Sequence, residues 1–356
     1  MTIFPKRRQD MNKNPKHRLR LTRRPKGFKE VPLYPILPSS ERAQSLRYDL
    51  LIAMVPLLLL SVYHYGFRPI TLTLVSVMAM TGLDFAVNKL FKKEYRFDIS
   101  PIVSGVLIAL FLPASAPLWL PLITAIFATA IKTGCDKLRF SLSSVALSLL
   151  LSFLLFPGIM NAIPEAGRTL HPFAISLKSF RAIPASPLEK VLTGFLPDTT
   201  TFETFFGLNS ARIGEISGFL IAVGFIYLLI RKTVKPVLPL TFIITVGVFA
   251  YLNPSLEAAS DVVALDGALY NVFGSNTFLS AVFLMSEPKR APKTFISAVF
   301  CGAFGGIVTM LLRGRIPLFL TALIAVILID VLSPIVNRFI KPSPFGGNIA
   351  PQKEEK

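Results

Sequence analysis

The hydrophobic pattern divides the chain into ten apolar runs, most of them separated by short polar segments. The runs cover about 49–64, 69–87, 100–113, 116–131, 141–156, 214–230, 236–252, 270–286, 293–312 and 316–336. A bilayer core about 30 Å thick requires roughly 20 predominantly apolar residues in a helix, and somewhat fewer where the flanking residues reach water. The pattern therefore predicts an all-α, multi-pass membrane protein with about ten transmembrane helices.

One long polar-leaning segment separates five runs from the other five. The expected divisions are a basic tail 1–48, a first membrane half 49–156, a loop 157–213, a second membrane half 214–336 and a C-terminal tail 337–356. With an odd number of spans in each half, homologous halves would have opposite orientations. Similar strings close the third run of each half, SGVLIALFLP at 104–113 and SAVFLMSEP at 280–288. We predict two inverted five-helix repeats, the alternative being that such strings recur by chance.

The distribution of charge predicts the orientation. The net charge is +18, and the tail 1–48 alone holds thirteen of the 38 Lys and Arg residues. Thirty of the 38 fall in segments that share one side of the ten-span arrangement. The positive-inside rule places these segments, and both termini, in the cytoplasm, with the protein in the cell (inner) membrane. The tail is expected to contact anionic lipid, and because it lacks interleaved aromatic residues we predict no nucleic-acid partner.

No motif for catalysis or metal binding is present in the sequence. The two cysteines, Cys135 and Cys301, are far apart and form no CxxC pair, so we expect no zinc or iron–sulfur site held by this chain alone. There is no nucleophile elbow, Walker loop or HExxH string. We therefore predict no catalytic residue and no metal ligand in this chain.

Three acidic residues near membrane depth are candidates for ion handling. Asp84, close to the end of the second run, is also interpretable as an interfacial residue paired with Lys89. Glu215 begins the sixth run, where the dipole of a helix N-terminus would stabilise a carboxylate without any further role. Asp330 stands within the apolar string ILIDVL and needs a partner or a raised pKa, so structural pairing and ion or proton handling are both open.

Several strings, in order and with consistent spacing, resemble one family of membrane proteins. They are residues 102–113 (IVSGVLIALFLP), 117–120 (PLWL), 213–217 (IGEIS), 283–288 (FLMSEP) with Pro292 after it, and 330–338 (DVLSPIVNR). This is the RnfD/NqrB family, which comprises membrane components of the Rnf electron-transport complex and of the sodium-translocating NADH:quinone reductase. The resemblance spans roughly residues 45–342 and implies a fold similar to that of urea transporters. It also implies passage of electrons through membrane flavins, coupled to Na⁺ or H⁺ translocation.

The resemblance also implies a flavin site in the long loop. Family members carry FMN on a Thr through a phosphoester made by a flavin transferase, and Ser186 in the string ASPL (185–188) occupies that position. This chain departs from the motif, because Phe180 and Ile183 replace its acid and upstream hydroxyl. The family's Asn-Pro-Phe-Asn-Pro-Ala string, close to a riboflavin, is also replaced here, by LRFSLS at 138–143. FMN on Ser186 and a bound riboflavin are therefore expectations from the resemblance alone.

We predict that the chain is a membrane subunit of a flavin-dependent, ion-translocating electron-transport complex. It has no nucleotide-binding fold, so other subunits would deliver the electrons and the chain would not act as an enzyme alone. Flavin redox steps would be coupled to rearrangement of the two halves, with Glu215 and Asp330 handling the ion. The alternatives are a secondary transporter or channel of the same fold that has lost its flavins, and a non-catalytic assembly subunit.

Overall fold

The described part of the chain is helical and contains no β-strand. The computed structural model describes residues 39–91, 98–138, 141–164, 186–193, 195–197, 199–253, 263–287, 292 and 294–340. The helices are α1 Ser39–Tyr65, α2 Arg68–Leu90, α3 Ser100–Phe111, α4 Trp119–Leu138, α5 Ser144–Leu155, α6 Pro157–Met160, α7 Pro187–Thr193, α8 Thr201–Phe206, α9 Gly218–Ile230, α10 Val237–Leu252, α11 Ala264–Phe273, α12 Thr277–Leu279, α13 Phe295–Leu312 and α14 Leu318–Phe339. A π-helical turn, Ser280–Leu284, continues α12.

The lengths of the helices agree with a multi-pass membrane protein. Among the described residues, four segments are long and apolar enough to cross a bilayer, namely Gln44–Tyr65, Arg68–Leu90, Phe295–Leu312 and Leu318–Phe339. Four shorter apolar helices accompany them, namely Ser100–Phe111, Ser144–Leu155, Gly218–Ile230 and Val237–Leu252. The prediction of an all-α membrane protein is confirmed at this level, because each predicted apolar run overlaps at least one helix.

Local sequence signals explain where several helices begin. The side chain of Ser143 accepts a hydrogen bond from Ala146 N at the start of α5, and Ser217 does the same for Leu220 N at the start of α9. Thr294 caps α13 in the same way through Ser297 N. Ser and Thr are preferred at this position because a side-chain oxygen satisfies one of the free N–H groups of the first turn.

The helices within residues Ala43–Lys356 pack into one unit. In the part that precedes the loop, α2 contacts α3 and α4, and α4 contacts α5. In the part that follows it, α10 contacts α11 and α13, and α13 contacts α14. Helix α5 of the first part packs against α14 of the second. Buried Phe111, Phe242, Phe283 and Phe319 are among the large side chains that fill the core.

The predicted run 270–286 is not one continuous span, and in this respect the prediction is wrong. The helix begins earlier, at Ala264, and is interrupted at residues 274–276 before α12. The buried guanidinium of Arg313 lies at this break, where it donates to Asn271 Oδ1 and, at 2.6 Å, to Thr277 Oγ1. The break leaves buried polar groups that need partners within the protein, and Arg313, the residue that follows α13, supplies donors for them.

Several of the predicted segments lie wholly or partly outside the described residues. They are most of the basic tail (1–38), most of the C-terminal tail (341–356), and residues 165–185 of the loop, which include Phe180 and Ile183. The described part of the loop forms the three short helices α6, α7 and α8.

Candidate functional site

The chain returns from the loop to α9 through a non-helical segment, residues 211–217, which we call the return segment. Its main chain runs beside the end of α3: Ile213 N donates to Leu112 O at 3.3 Å, and Gly214 N donates to Leu110 O at 2.7 Å. A Cβ at Gly214 would lie 2.9 Å from both Leu110 Cβ and Leu279 Cδ2. The close approach therefore requires glycine, and it places the return segment between α3 and α12.

Tyr65, the last residue of α1, holds the start of the return segment. Its hydroxyl donates to Ala211 O at 2.8 Å and accepts from Ala211 N at 3.2 Å. Both partners are buried. Because one hydroxyl satisfies both polar groups of the Ala211 backbone, the segment is fixed relative to α1 without a regular helix or strand.

The return segment contains a buried ion pair between Arg212 and Glu215. Arg212 Nη1 lies 3.4 Å from Glu215 Oε2, and both side chains are buried. The other carboxylate oxygen, Glu215 Oε1, is buried without a hydrogen-bond partner among the described residues. A carboxylate with one engaged oxygen and one buried, unengaged oxygen retains the capacity to bind a proton or a cation.

Arg212 is held by two further contacts. Its Nη2 donates to Met160 O at 3.2 Å, and its guanidinium carbon lies 4.2 Å from the centroid of the Phe319 ring. Phe319 in turn stacks on Phe153 of α5, with ring centroids 5.5 Å apart. The cation therefore rests on an aromatic face and a carbonyl, which orient it toward Glu215.

The interpretation of Glu215 as a helix-capping residue is wrong. Helix α9 begins at Gly218, and its N-cap is Ser217. Glu215 precedes this helix and its backbone N–H donates to Arg212 O at 3.0 Å, in a turn. The carboxylate is thus stabilised by the guanidinium of Arg212 and not by a position in the first turn of α9.

Ser186 lies immediately before α7 and is partly exposed. Its Oγ accepts a hydrogen bond from Glu189 N at 3.3 Å, the geometry of an N-cap. Leu188 and Val191 of α7 are buried against Tyr270, with Leu318 packed beside them. Because Leu318 and Phe319 are the first two residues of α14, the loop helix that follows Ser186 and the cation that pairs with Glu215 both contact the same turn.

Asp330 lies elsewhere on α14. Its Oδ2 accepts a hydrogen bond from Ser143 N at 2.7 Å, next to the start of α5. It is eleven residues beyond Phe319, which corresponds to about 16 Å along a helix. A carboxylate at a helix N-terminus is electrostatically favourable, so this geometry supplies the structural partner. Ion handling by Asp330 stays a prediction.

Asp84 has a different partner from the expected Lys89. Its Oδ1 lies 2.8 Å from Lys132 Nζ of α4, and its Oδ2 accepts from Asn88 Nδ2 at 3.1 Å. The ion pair therefore ties α2 to α4, and both side chains are partly exposed. The structure does not bring Asp84, Glu215 and Asp330 into one cluster.

Sequence reasoning did not single out Asp49 or Arg212. Asp49 is buried at the start of the first apolar run, where its carboxylate accepts from Arg231 Nε at 3.1 Å and Thr233 Oγ1 at 2.9 Å. It links α1 to the turn between α9 and α10. Its acidic character at the edge of an apolar run was a readable signal, as was the position of Arg212 three residues before Glu215.

These features define a polytopic helical membrane protein in which a non-helical segment carries a buried acid–base pair between helices. The chain belongs to the NQR2, RnfD, RnfE family, whose sequence model matches residues 31–346. The resemblance seen in the strings of the sequence is thereby confirmed.

Relatives of similar length support the assignment. The D subunit of the Na(+)-translocating ferredoxin:NAD(+) oxidoreductase complex of Acetobacterium woodii is 28% identical over 323 residues, which cover 88% of this chain and 93% of that relative. The D subunit of an ion-translocating oxidoreductase complex of Aliivibrio salmonicida is 24% identical, covering 86% and 95%. The D subunit of the proton-translocating ferredoxin:NAD(+) oxidoreductase complex of Clostridium ljungdahlii is 19% identical, covering 88% and 94%.

Proposed function

We propose that this chain is a membrane subunit of an ion-translocating electron-transport complex. The observation that carries the proposal is the family match over residues 31–346, together with relatives that are named as subunits of such complexes. The other subunits of the complex are its partners. The relatives differ in the ion that their names give, Na⁺ in one and the proton in another.

The topology that we propose is ten spans in two inverted halves, with both termini in the cytoplasm. The pairings α2 with α3 and α4 on one side, and α10 with α11 and α13 on the other, support the repeat. So does the contact of α5 with α14, the last helices of the two halves. Cysteine accessibility from each side of sealed vesicles, at Tyr63 and at Phe339, tests the orientation, because Phe339 should react from the cytoplasmic face and Tyr63 from the other face.

Glu215 is our first candidate for ion handling. Its buried Oε1 is available, and the adjacent Arg212 compensates the negative charge while no ion is bound. Binding of a proton or cation at the carboxylate would weaken this pair and leave the guanidinium held by Phe319 and Met160 O. Asp330 and Asp84 are weaker candidates for ion handling. Asp330 accepts a hydrogen bond from Ser143 N near the start of α5, and Asp84 forms an ion pair with Lys132 between two helices.

We also propose FMN, attached as a phosphoester to Ser186, as the cofactor. Ser186 is compatible with this attachment in one respect. The residue is partly exposed, and the helix that follows it packs on α14. FMN would supply one-electron transfer when bound. A riboflavin near residues 138–143 fits less well, because Ser143 Oγ and N are engaged with Ala146 N and Asp330 Oδ2.

The test is purification of the tagged chain from membranes of its own host. Co-purification of sibling subunits, and electron transfer in inverted vesicles that builds an ion gradient, are expected. The gradient is measured separately with a Na⁺-sensitive dye and a pH-sensitive dye, with an ionophore specific for each ion as the control. A chain that purifies alone, from vesicles whose electron transfer builds neither gradient, would refute the proposal.

The alternative function is a transporter or channel of the same fold without flavin. Phe180 and Ile183, which replace the acid and hydroxyl of the flavin motif, favour it. Flavin absorbance of the purified chain, and in-gel fluorescence after denaturation, distinguish the two. Absence of both from protein made together with its own flavin transferase would support the alternative.

A further inference from the structure

Helix α8 carries a pair of exposed phenylalanines. Phe202 is 70% exposed and Phe206 is 43% exposed. They are four residues apart, so they share one face of the helix, and their ring centroids lie 4.6 Å apart. Two aromatic side chains on the surface of a loop form an apolar patch that water does not favour.

The opposite side of α8 is fixed to the protein. Thr204 is buried, and the ring of Phe205 packs on Phe273 with centroids 4.9 Å apart. A capping box between Thr200 and Glu203 closes the first turn. The orientation of the exposed pair is therefore set by packing and capping on the other face of the helix.

The exposed pair continues an apolar stripe on α9. Phe206 stacks on Phe219 in the first turn of α9, with centroids 5.3 Å apart. The exposed residues Phe219, Val223, Ile226 and Ile230 follow it at intervals of three or four, which is one face of a helix. The stripe thus runs from α8 along the whole of α9, without a charged side chain among its members.

Two observations support a position of α8 at the edge of the bilayer core. Gly207, directly after α8, approaches Leu60 so closely that an added Cβ would lie 3.2 Å from Leu60 Cδ2. Leu60 is inside the membrane-length helix Gln44–Tyr65, five residues before its end. In addition, α9 has 13 residues, about 20 Å, whereas the hydrocarbon core is about 30 Å thick.

We propose that Phe202 and Phe206 anchor α8 in the interfacial zone of the bilayer, in the leaflet at the Tyr65 end of α1. Lipid is the occupant of this surface. Aromatic rings suit this zone, and their burial there completes the hydrophobic length that α9 lacks. The anchor also holds the start of α9, because Ser217 Oγ donates to Phe205 O at 3.2 Å, two residues from Glu215.

The sequence has a single tryptophan, Trp119, which makes a fluorescence test direct. Phe202→Trp is made in a Trp119→Phe background, and the full chain is reconstituted in phosphatidylcholine vesicles. The lipid is brominated either near the glycerol end or near the methyl end of its acyl chains. Matched controls in the same background are Ile226→Trp, in the middle of α9, and Glu189→Trp, on the exposed side of α7.

Stronger quenching of Phe202→Trp by bromine near the glycerol end is expected, with little quenching by aqueous iodide. Ile226→Trp should be quenched better by bromine near the methyl end, and Glu189→Trp by iodide. Quenching of Phe202→Trp that matches Glu189→Trp would overturn the proposal. Lipid quenching that disappears in the assembled complex would overturn it as well, because it would show that another protein of the complex covers the patch. A far-ultraviolet circular dichroism spectrum equal to that of the Trp119→Phe parent confirms that each variant is folded.

Discussion

Arg212 and Glu215 form an ion pair in which the side chains are only 8% and 5% exposed, with Nη1 3.4 Å from Oε2. Both groups belong to the return segment, which hydrogen bonds to α3 instead of forming a helix. A buried pair of this kind is costly to desolvate, and removal of one partner leaves the other charge uncompensated, at about 3–5 kcal/mol. Variants of these two residues can therefore distinguish a structural role of the pair from a role in ion handling.

Arg212→Met should destabilise the protein by about 3–5 kcal/mol, because Glu215 remains buried without its cation. Glu215→Gln in the same background should recover most of this loss, because no buried charge is then left. The measurement is thermal and denaturant unfolding of the purified chain in nanodiscs, arranged as a double-mutant cycle. A loss in the double variant equal to the sum of the losses in Arg212→Met and Glu215→Gln would contradict a coupled pair.

The same double variant tests ion handling. If Glu215 carries the ion, Arg212→Met with Glu215→Gln should assemble into the complex and transfer electrons, yet build no ion gradient in vesicles. The readout that decides is the ratio of ions moved to electrons transferred. If this variant moves as many ions per electron as the wild type, the role of the pair is purely structural.

Variants of Asp330 can also distinguish a structural contact from ion handling, since its Oδ2 accepts a hydrogen bond from Ser143 N at 2.7 Å. Asp330→Asn keeps an oxygen acceptor but loses the charge, whereas Asp330→Leu loses both. If the contact is structural, we expect Asn to cost little and Leu to cost about 1–3 kcal/mol for an unsatisfied buried group. If the charge handles the ion, Asn should abolish the gradient as completely as Leu does. Unfolding in nanodiscs and the vesicle gradient are measured on the same preparations.

Ser186 can be tested with variants that distinguish flavin attachment from helix capping. Ser186→Thr retains the hydroxyl, and Ser186→Asp retains a cap acceptor but offers no hydroxyl for a phosphoester. We expect flavin fluorescence after denaturing electrophoresis for wild type and Thr, and none for Asp. The chain must be produced with its own flavin transferase. Fluorescence that persists in Ser186→Asp would place the flavin on another residue, such as one of the threonines at 199–201.

The positions of most long helices were predictable from the sequence, because long apolar runs indicate burial in lipid or protein whatever the tertiary contacts are. The predicted run 316–336 corresponds to α14 Leu318–Phe339, and 236–252 to α10 Val237–Leu252. Agreement was poorer where α1 begins at Ser39 and not at 49, where α4 extends to Leu138 and not to 131, and above all in the run 270–286, which is broken at residues 274–276. Gly, Ser and Asn there were a turn signal that the apolar residues on either side concealed.

The partners of the charged residues were not predictable from position alone. Lys89 is the nearer cation to Asp84 along the chain, but Lys132, on the adjacent helix α4, forms the ion pair. Likewise, Glu215 stands where a helix start was expected, and only the structure reveals the hydrogen bonds that hold the return segment against α3. Such pairings depend on how helices pack, which an apolar pattern does not specify.

The packing of α13 on α10 gives a last prediction, because it depends on glycine at one position. A Cβ at Gly302 would meet Thr241 Oγ1 and would lie 2.9 Å from Leu238 O. Thr241 Oγ1 has little freedom to move, since it donates to Val237 O at 2.7 Å. Gly302→Ala should therefore force the helices apart and destabilise the protein by about 1–3 kcal/mol.

Gly82→Ala in α2 is the matched control, because an added Cβ there meets nothing within 4 Å and alanine favours the helix. Unfolding of both variants in nanodiscs decides the matter, and equal stability of the two would contradict a close contact between α10 and α13.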